Sequence, residues 1–380
     1  MRIVHVITGL NDGGAEGVLY RLCSYDKANK HCIVSLMDLG KYGPLLQSDG
    51  HLVYTLGLRR GRIHLCVVAR LMAILRSFAP DVVQTWMYHA DLLGGLAARM
   101  VGCETVVWNI RNGSLEQPSR FMTKLLVRLL AALSHWMPSR IVVCATDAAE
   151  VHIRKGYAGS KMQVIPNGYD LSLLQPNGAL RSYFRRLIGA DECVVTVGAV
   201  GRFDPQKDHG SLIEALRILA ERGIRFMGVF VGQDMVESNA ALRRLVQERP
   251  FKSTLRLMGP QTDIPTVMNG FDIHVLASAY GEAFPNVLAE AMACGTPCVT
   301  TDVGDSADIV GDSGWVVPKR NPLALANAIA DAISERSSPG WNIRKIAARQ
   351  RVEQLYGIER MVAAYNELWQ QARAAGNRNN

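Results

Sequence analysis

Long apolar runs are missing from this chain of 380 residues. No segment offers the roughly 20 consecutive apolar residues that a membrane-spanning helix needs. The apolar start of the chain soon meets Asn11, Asp12 and a glycine pair, so it predicts a first strand and its loop rather than a cleavable signal. We therefore expect a cytoplasmic protein.

Paired cysteines and metal-binding patterns are missing as well. The eight cysteines are scattered, and only Cys294 and Cys298 lie close together, with no histidine or further cysteine near them to complete a ligand set. Lysine and arginine outnumber aspartate and glutamate by 42 to 34, which suits an anionic partner. Nucleic acid is not the expected partner, because the chain has no recognition-helix, zinc-knuckle or aromatic–basic strand pattern.

Short runs rich in β-branched residues alternate with helical stretches along both halves of the chain. Their continuous apolar character predicts strands that are buried on both faces of a parallel sheet covered by helices. The predicted strands cover residues 3–7, 32–36, 52–56, 82–84, 105–108, 141–144 and 163–165 in the first half, and 194–200, 226–231, 255–258, 273–277 and 297–300 in the second.

Two clusters of turn formers interrupt this alternation, at residues 166–170 and 175–178. They predict a linker between two Rossmann-like domains, residues 1–168 and residues 176–356, and a final amphipathic helix at 358–376. Two doubly wound halves of this kind are expected to hold a ligand in a cleft at the carboxyl ends of their strands.

The most informative segment is residues 281–297, which reads GEAFPNVLAEAMACGTP. Pro285 is suited to the first position of a helix, and Gly295 is suited to its end. The backbone amides of Asn286 and Val287 at the start of that helix, together with the helix dipole, predict a binding site for an anion.

Two glutamates frame the predicted anion site. Glu290 lies about 7–8 Å further along the helix axis, near the distance from a diphosphate to the ribose hydroxyls of one nucleotide. A carboxylate that accepts both hydroxyls is also used by dinucleotide-binding folds. Glu282 precedes the helix and is expected to face whatever group the outer phosphate carries.

This segment resembles the Glu-x7-Glu motif of the retaining glycosyltransferases of family 4, which have the GT-B fold; Val303-Gly304 further on matches too. The resemblance implies that Glu282 contacts the hydroxyls of the donor sugar and that Glu290 holds the ribose. It also implies that Phe284, Pro285, Asn286 and Val287 line the phosphate and sugar, and that the final helix crosses back onto the first domain.

A glycine-containing loop follows the first strand of each half. Arg202 and Lys207 put two cations where a leaving diphosphate would sit, and the resemblance implies that they bind it. Gly13 and Gly14 resemble the family's glycine loop, whose backbone reaches the donor phosphate. The G-x-G-x-x-G order of a dinucleotide site is absent from both loops.

Two further residues are candidates for contact with the acceptor or the sugar. His89 follows the fourth strand, where it either contacts the acceptor or caps the next helix. Many family members carry a histidine after the fifth strand, but this chain has the segment Trp108–Asn112 there. We expect Arg111 to take the place of that histidine.

No aspartate pair of the D-x-D kind lies in a loop placed to carry Mg²⁺ between phosphates. Because Arg202, Lys207 and the helix amides supply positive charge, we expect neither a metal ion nor a cofactor. The resemblance implies transfer of a hexose-type sugar, with retention, from a UDP or GDP donor to a glycan or polyprenyl-diphosphate-linked acceptor in surface-polysaccharide assembly. Two alternatives are a GT-B-fold sugar-nucleotide epimerase and a catalytically silent nucleotide-sugar-binding subunit.

The stretch at residues 116–138 predicts an amphipathic helix with a basic stripe formed by Arg120, Lys124 and Arg128. Its other face is predicted to carry Leu125, Leu126, Leu129, Leu133 and Trp136. One interpretation is an ordinary helix with its apolar face on the sheet and its basic face in water. The other is a helix that rests on the anionic inner face of the membrane, where a lipid-linked acceptor would lie.

Overall fold

A computed structural model describes residues 1–58, 65–113, 121–247, 251 and 254–376. The chain divides into two compact units. The first comprises Met1–Gly168 and Ile358–Asn380, and the second comprises Tyr169–Gly357.

The first unit is built on a parallel sheet of seven strands in the order β3-β2-β1-β4-β5-β6-β7. The order reverses direction between β1 and β4, as in doubly wound folds. All seven strands were predicted. They are β1 Arg2–Ile7, β2 Lys30–Ser35, β3 Leu52–Thr55, β4 Val82–Trp86, β5 Val106–Ile110, β6 Arg140–Val143 and β7 Met162–Val164.

Helices cover both faces of this sheet and account for its apolar strands. One face packs under α3, α4 and α5, and the other packs under α1 and the final helix, α15. The helix expected to cross back therefore belongs to the first unit. The helices are α1 Gly14–Tyr25, α2 Tyr42–Ser48, α3 Leu65–Phe78, α4 Tyr88–Met100, α5 Phe121–Leu133, α6 Thr146–Arg154 and α15 Ile358–Gly376.

The second unit repeats the design with six parallel strands in the order β10-β9-β8-β11-β12-β13. Five of the six were predicted; the three-residue β13 was not, because it is too short to show a pattern. The strands are β8 Thr196–Val200, β9 Met227–Val231, β10 Leu255–Leu257, β11 Ile273–Leu276, β12 Cys298–Thr301 and β13 Trp315–Val317.

Side-chain caps start several helices of the second unit. Asn177 accepts hydrogen bonds from the amides of residues 179 and 180 at the start of α7, and Gly189, with φ of 70°, ends that helix. Asp208 caps α8 in the same way. The helices are α7 Gly178–Ile188, α8 His209–Glu221, α9 Ala240–Val246, α10 Ile264–Gly270, α11 Asn286–Ala293, α12 Ser306–Val310, α13 Pro322–Glu335 and α14 Gly340–Leu355.

Helix α5 corrects one expectation of the sequence analysis. Its core contacts come from the buried Val127, Leu130 and Ala131. Of the five residues predicted for its apolar face, Leu126 and Leu133 pack against this core. Leu125 and Leu129 are about half exposed, and Trp136 just beyond the helix is 65% exposed. Arg120 lies outside the described residues. No helix in the described ranges combines the length and apolar content that crossing a bilayer requires.

A row of polar side chains lies inside the core of the first unit. Trp86 donates its indole N–H to His5 Nδ1 at 3.2 Å, and His5 Nε2 lies 3.0 Å from His31 Nδ1. The other nitrogen of His31, Nε2, lies 3.2 Å from Asp26 Oδ2. Burial, followed by the nearby His31, lowers the pKa of His5 well below its ordinary value, so its ring is neutral.

Candidate active site

The candidate site lies where the strand order of the second unit reverses. Strands β8 and β11 are neighbours there, although they are far apart in sequence. The loop at 201–208 leaves the carboxyl end of β8, and the loop at 277–285 leaves the carboxyl end of β11. Doubly wound sheets bind ligands at this position, because the two loops diverge and leave room between them.

Two predicted site residues, one from each loop, meet in an ion pair. Lys207 donates from Nζ to Glu282 Oε1 at 2.5 Å, and the hydroxyl of Ser278 donates to the same oxygen at 2.6 Å. The two charged side chains are 16% and 8% exposed. Among the described residues nothing donates to Glu282 Oε2, so this oxygen can accept a hydrogen bond from a ligand.

Close backbone packing holds this pair in place. The amide of Ala279 donates to the carbonyl of Gln206 at 2.8 Å, which joins the two loops directly. Gly304 has φ of 57°, and a Cβ there would overlap the carbonyl oxygen of Glu282. A side chain at Gly304 would therefore push away the loop that carries Glu282.

Arg202 occupies a more open position than Lys207. Its side chain is 57% exposed and pairs with Asp204 at 3.1 Å, within the same loop. Burial opposes ionisation of Asp204, but the amide of Gln206 and the guanidinium of Arg202 hold its pKa below the ordinary value. The structure thus brings Lys207 and Glu282 together and leaves Arg202 at the rim.

Helix α11 begins beside the Glu282 loop, one residue later than predicted. Pro285 is the N-cap, with ψ of 98°, rather than the first helical residue, and α11 starts at Asn286. Asn286, Val287 and Glu290 are all half-buried. Because residues three and four apart share a helix face, Glu290 lies on the same side of α11 as the first two.

Aromatic side chains pack around the loop that precedes α11. Phe284 stacks on Tyr169 at a ring distance of 6.5 Å and meets Tyr356 edge-on at 5.2 Å. The hydroxyl of Tyr169 donates to Asn286 Oδ1 at 2.5 Å. Phe284 is buried, so its side chain supports the loop, whereas only its backbone is available to a ligand.

The corresponding edge of the first unit carries the remaining candidates. Gly13 is the N-cap of α1, Gly14 is its first residue, and the Glu16 side chain curls back over Gly13. Burial raises the pKa of Glu16, while Arg111 opposes that rise, which places the two charges near each other. Arg111 donates to Asn167 Oδ1.

His89 is exposed at the start of α4 and does not cap it; the N-cap is Met87, and the helix has no side-chain cap. Neighbouring atoms that partly desolvate the imidazole lower its pKa. Of the two interpretations offered from the sequence, the capping role is therefore wrong.

Among the described residues, one group of side chains has the composition of a metal site: His5, Cys23 and His31, all buried in the first unit. Because Trp86 donates to His5 Nδ1, the proton of His5 must lie on Nε2, which faces His31. Because the indole N–H occupies Nδ1, His5 could ligate a metal through Nε2 only by losing the one proton of its neutral ring, so this group does not suit a metal.

Three features of the site were not predicted from the sequence: the contacts of Ser278, the contacts of Tyr169 and the close packing of Gly304 against the Glu282 loop. Ser278 lies four residues before Glu282 and contacts the same carboxylate as Lys207. Nothing in a single sequence marks this serine, because the site it supports is completed by Lys207, 71 positions away.

The architecture matches solved structures along nearly its whole length. A crystal structure of Anabaena HepE in complex with UDP superposes with a TM-score of 0.86 at 20% identity, covering 98% of this chain and 100% of HepE. Sucrose-phosphate synthase from Thermosynechococcus elongatus gives 0.80 at 21% identity, covering 99% and 100%. The fold is therefore that of the GT-B glycosyltransferases.

Sequence comparisons agree in both units. Residues 12–173 match the family described as Glycosyltransferase Family 4, and residues 194–335 match Glycosyl transferases group 1. EpsF of Bacillus subtilis strain 168, provisionally named a glycosyltransferase, is 29% identical, covering 96% of this chain and 94% of EpsF.

A second relative has a more specific name. The UDP-Gal:α-D-GlcNAc-diphosphoundecaprenol α-1,3-galactosyltransferase of Escherichia coli is 25% identical, covering 79% of this chain and 77% of that enzyme. The chain belongs to the group 1 glycosyltransferases of family 4 and is related to enzymes of polysaccharide biosynthesis.

Proposed function

We propose that this chain transfers a hexose-type sugar, with retention of anomeric configuration, from a UDP-sugar to a glycan or polyprenyl-diphosphate-linked acceptor. The second unit binds the donor, and the first unit contributes contacts to the acceptor. Surface-polysaccharide assembly is the expected setting.

The contact between Lys207 and Glu282 is the observation that carries the proposal. It joins a cation and a carboxylate at 2.5 Å, next to the start of α11, and we propose that the carboxylate binds the sugar. A donor needs both groups at adjacent points: a positive charge at the diphosphate and an acceptor of hydroxyl hydrogen bonds at the sugar. Glu290, further along α11, suits the ribose of the same nucleotide.

In the proposed reaction the acceptor hydroxyl oxygen attacks the anomeric carbon from the face that the diphosphate leaves. The bond from that carbon to the phosphate oxygen breaks, and the departing oxygen takes the hydroxyl proton. Lys207 and the first amides of α11 stabilise the charge that develops on the diphosphate. The same cationic groups make a metal ion unnecessary in this proposal, and no cofactor takes part.

The choice of donor and acceptor rests on relatives. HepE was solved with UDP, and in another crystal with UDP-glucose. The Escherichia coli relative is named for UDP-galactose and a diphosphoundecaprenol-linked acceptor. We therefore propose UDP rather than GDP, and a lipid-linked glycan as the first acceptor to try.

An assay of UDP release tests this proposal. UDP-glucose and UDP-galactose are supplied as donors, with and without a diphosphoundecaprenol-linked sugar, in buffer containing EDTA. We expect UDP release that requires the acceptor and persists in EDTA, and NMR of the product should show the donor's anomeric configuration. Inversion would contradict the retaining mechanism. Sugar interconversion without an acceptor would support the epimerase, and failure to turn over any donor would support the silent subunit.

A membrane contact belongs to the same proposal, because α5 carries an unusual outer face. Leu125, Leu129 and Trp136 are exposed there, beside the exposed Lys124 and Arg128. The helix sequence contains no acidic residue. Exposed leucines and tryptophan flanked by cations are typical of helices that lie in the interface of an anionic membrane.

Co-sedimentation with liposomes tests this contact. We expect binding to anionic but not to neutral vesicles, weakened by salt, and reduced both by Lys124→Gln with Arg128→Gln and by Leu125→Ser with Leu129→Ser. Leu187→Ser removes an equally exposed leucine of the second unit and should leave binding unchanged. Equal binding by all variants would contradict the assignment of the membrane face to α5.

A further inference from the structure

A cavity lies at the other edge of the sheet in the second unit, away from the candidate active site. Its volume is about 520 Å³, and it is lined at the amino ends of the strands by Asp272, just before β11, and Thr296, just before β12. The candidate active site lies at the carboxyl ends. Strands of four or five residues, at about 3.3 Å per residue, put roughly 13–17 Å between the two places.

Cations converge on the wall of this cavity. Asp272 accepts from Arg181 at 2.8 Å and pairs with Arg185 at 3.2 Å and with Arg336 at 3.1 Å. Burial disfavours its ionisation, but Arg181 and its other partners hold the pKa of Asp272 below the ordinary value. One buried carboxylate thus serves three guanidinium groups.

Other nearby charges do not neutralise the excess of positive charge around Asp272. Glu192 lies 3.5 Å from Arg181, but its side chain is 64% exposed and screened by water. Lys345 lines the cavity together with Arg181 and Arg336, whereas Arg185 lies behind the wall. Within the described residues of this cluster, four cations face two carboxylates, which leaves a surplus of two positive charges.

Lys345 differs in its surroundings from the two arginines that line the cavity. It is half-buried, and its ammonium makes no hydrogen bond or ion pair with the residues that the structure describes. Burial, followed by repulsion from Arg181, lowers its pKa. A cation that has lost part of its water and is repelled by its neighbours is stabilised when an anion binds.

The rest of the lining suits an organic anion. The N-cap of α7, Asn177, lies at the cavity, so the positive end of that helix dipole faces it. The carboxyl end of α11 is also close to the cavity. Arg349 donates a hydrogen bond to the carbonyl of Ala293 at 2.5 Å and offsets the negative end of that helix dipole. Trp341 supplies an apolar wall.

We propose that this cavity binds a small phosphorylated molecule, with its phosphate between Lys345, Arg181 and Arg336 and its organic part against Trp341. The volume fits a ligand of sugar-phosphate or nucleotide size. The site is separate from the one assigned to the donor. Helix α11 links the two places, because Asn286 begins it at the candidate active site and Gly295, just past its end, lines the cavity.

Calorimetric titration with inorganic phosphate and with glucose 6-phosphate tests the site. Wild type, Lys345→Gln and Lys345→Arg are compared, with Lys319→Gln as the matched control, because Lys319 is an exposed lysine of the same unit. Lys207→Ala distinguishes this cavity from the donor site. Lys345→Gln should weaken binding about tenfold or more, because a charge-assisted hydrogen bond is lost. Lys345→Arg, Lys319→Gln and Lys207→Ala should all retain binding.

Glucose 6-phosphate should bind more tightly than inorganic phosphate, since it alone reaches Trp341. Unchanged binding in Lys345→Gln would overturn the proposal. Loss of binding in Lys207→Ala alone would do the same, because the titration would then be reporting the donor site. Equal heats from chloride at matched ionic strength would show only general screening and would also overturn it. Thermal unfolding of each variant verifies that the titrated protein is folded.

Discussion

The two units present the same edge of the same kind of sheet with different chemistry. In the second unit, Lys207 and Glu282 come from different loops, contact each other directly and are largely shielded from water. In the first unit, Gly13 and Gly14 provide backbone at the start of α1, and Arg111 sits near Glu16.

This difference fits the division of work that we propose between the units. A rigid, charge-paired edge suits a ligand whose charge and geometry do not vary, such as a nucleoside diphosphate. An edge built from backbone and separate polar side chains suits a more variable partner, such as an acceptor glycan. Substitutions at the two edges test this division.

The largest effect should come from removing the buried cation. Lys207→Ala should lower kcat about 100- to 1,000-fold, the usual cost of losing one group that stabilises transition-state charge. Arg202→Ala should lower kcat less, because the Arg202 side chain is exposed and solvent screens its charge. Glu290→Ala should mainly raise the donor KM, because contacts to the ribose change little during reaction.

Steady-state kinetics with varied donor separate these variants, and Lys319→Ala serves as the control. Equal loss of kcat in Lys207→Ala, Arg202→Ala and Glu290→Ala would contradict the assigned roles. A rise in KM without loss of kcat in Lys207→Ala would remove it from the reacting centre.

Replacing a glycine by alanine should cost more stability at the edge of the second unit than at the edge of the first. At Gly304 a Cβ meets backbone, and φ is 57°, so Gly304→Ala should cost about 1–3 kcal/mol of stability and displace Glu282. At Gly13 the Cβ would meet only the flexible Glu16 side chain, and φ is −139°. Gly13→Ala should therefore cost little stability. Urea unfolding and donor KM check this contrast, and equal stability losses would contradict it.

Acidification should destabilise the second unit through protonation of His274 in the unfolded chain. Burial, followed by the charge of Lys207, lowers its pKa to about 3. The unfolded chain takes up a proton near pH 6.5 and the folded chain does not, so stability is lost as pH falls from 6.5 toward 3. Between pH 7 and pH 5 this histidine should account for about 2 kcal/mol of that loss.

Urea unfolding at both pH values tests His274→Met, which cannot titrate. The variant should lose about 2 kcal/mol less than wild type over this range. His135→Met replaces an exposed histidine of the first unit and should follow wild type. An identical pH slope for wild type and His274→Met would show that acid acts elsewhere.

The smallest effect should come from the first unit. Arg111 lies over the ring of Trp86 at 5.9 Å and donates to Asn167, and a lysine cannot reproduce both contacts. Arg111→Lys should lower kcat/KM for the acceptor about fivefold and leave the donor KM unchanged, consistent with a loss of about 1 kcal/mol. Kinetics with varied acceptor measure it. A raised donor KM would instead assign Arg111 to the donor.

Local sequence predicted most of the fold but not how side chains pair. The β-branched runs marked twelve of the thirteen strands, because strands buried on both faces are apolar throughout. The inner face of α5 was assigned only in part: Leu126 and Leu133 pack against the core beside Val127 and Leu130, whereas Leu125 and Leu129 are about half exposed. The pairing of Lys207 with Glu282 depends on strand order, which no local pattern reveals.

The same limit applies to the cavity around Asp272. Arg181, Arg185 and Arg336 reach one carboxylate from places 64 to 91 positions away in the sequence. Each arginine by itself has the pattern of a solvated helix charge. Only the folded chain shows that they share a single counter-ion.

The polar row from Trp86 to Asp26 has a consequence for proton placement. An indole N–H can only donate and an ionised carboxylate can only accept, so His5 and His31 between them have a single arrangement of hydrogens. The row therefore has a fixed direction, and neither ring can turn over without opposing two donors or two acceptors. The core of the first unit thus specifies one tautomer for each imidazole, and a nitrogen-15 spectrum of the two rings would reveal it.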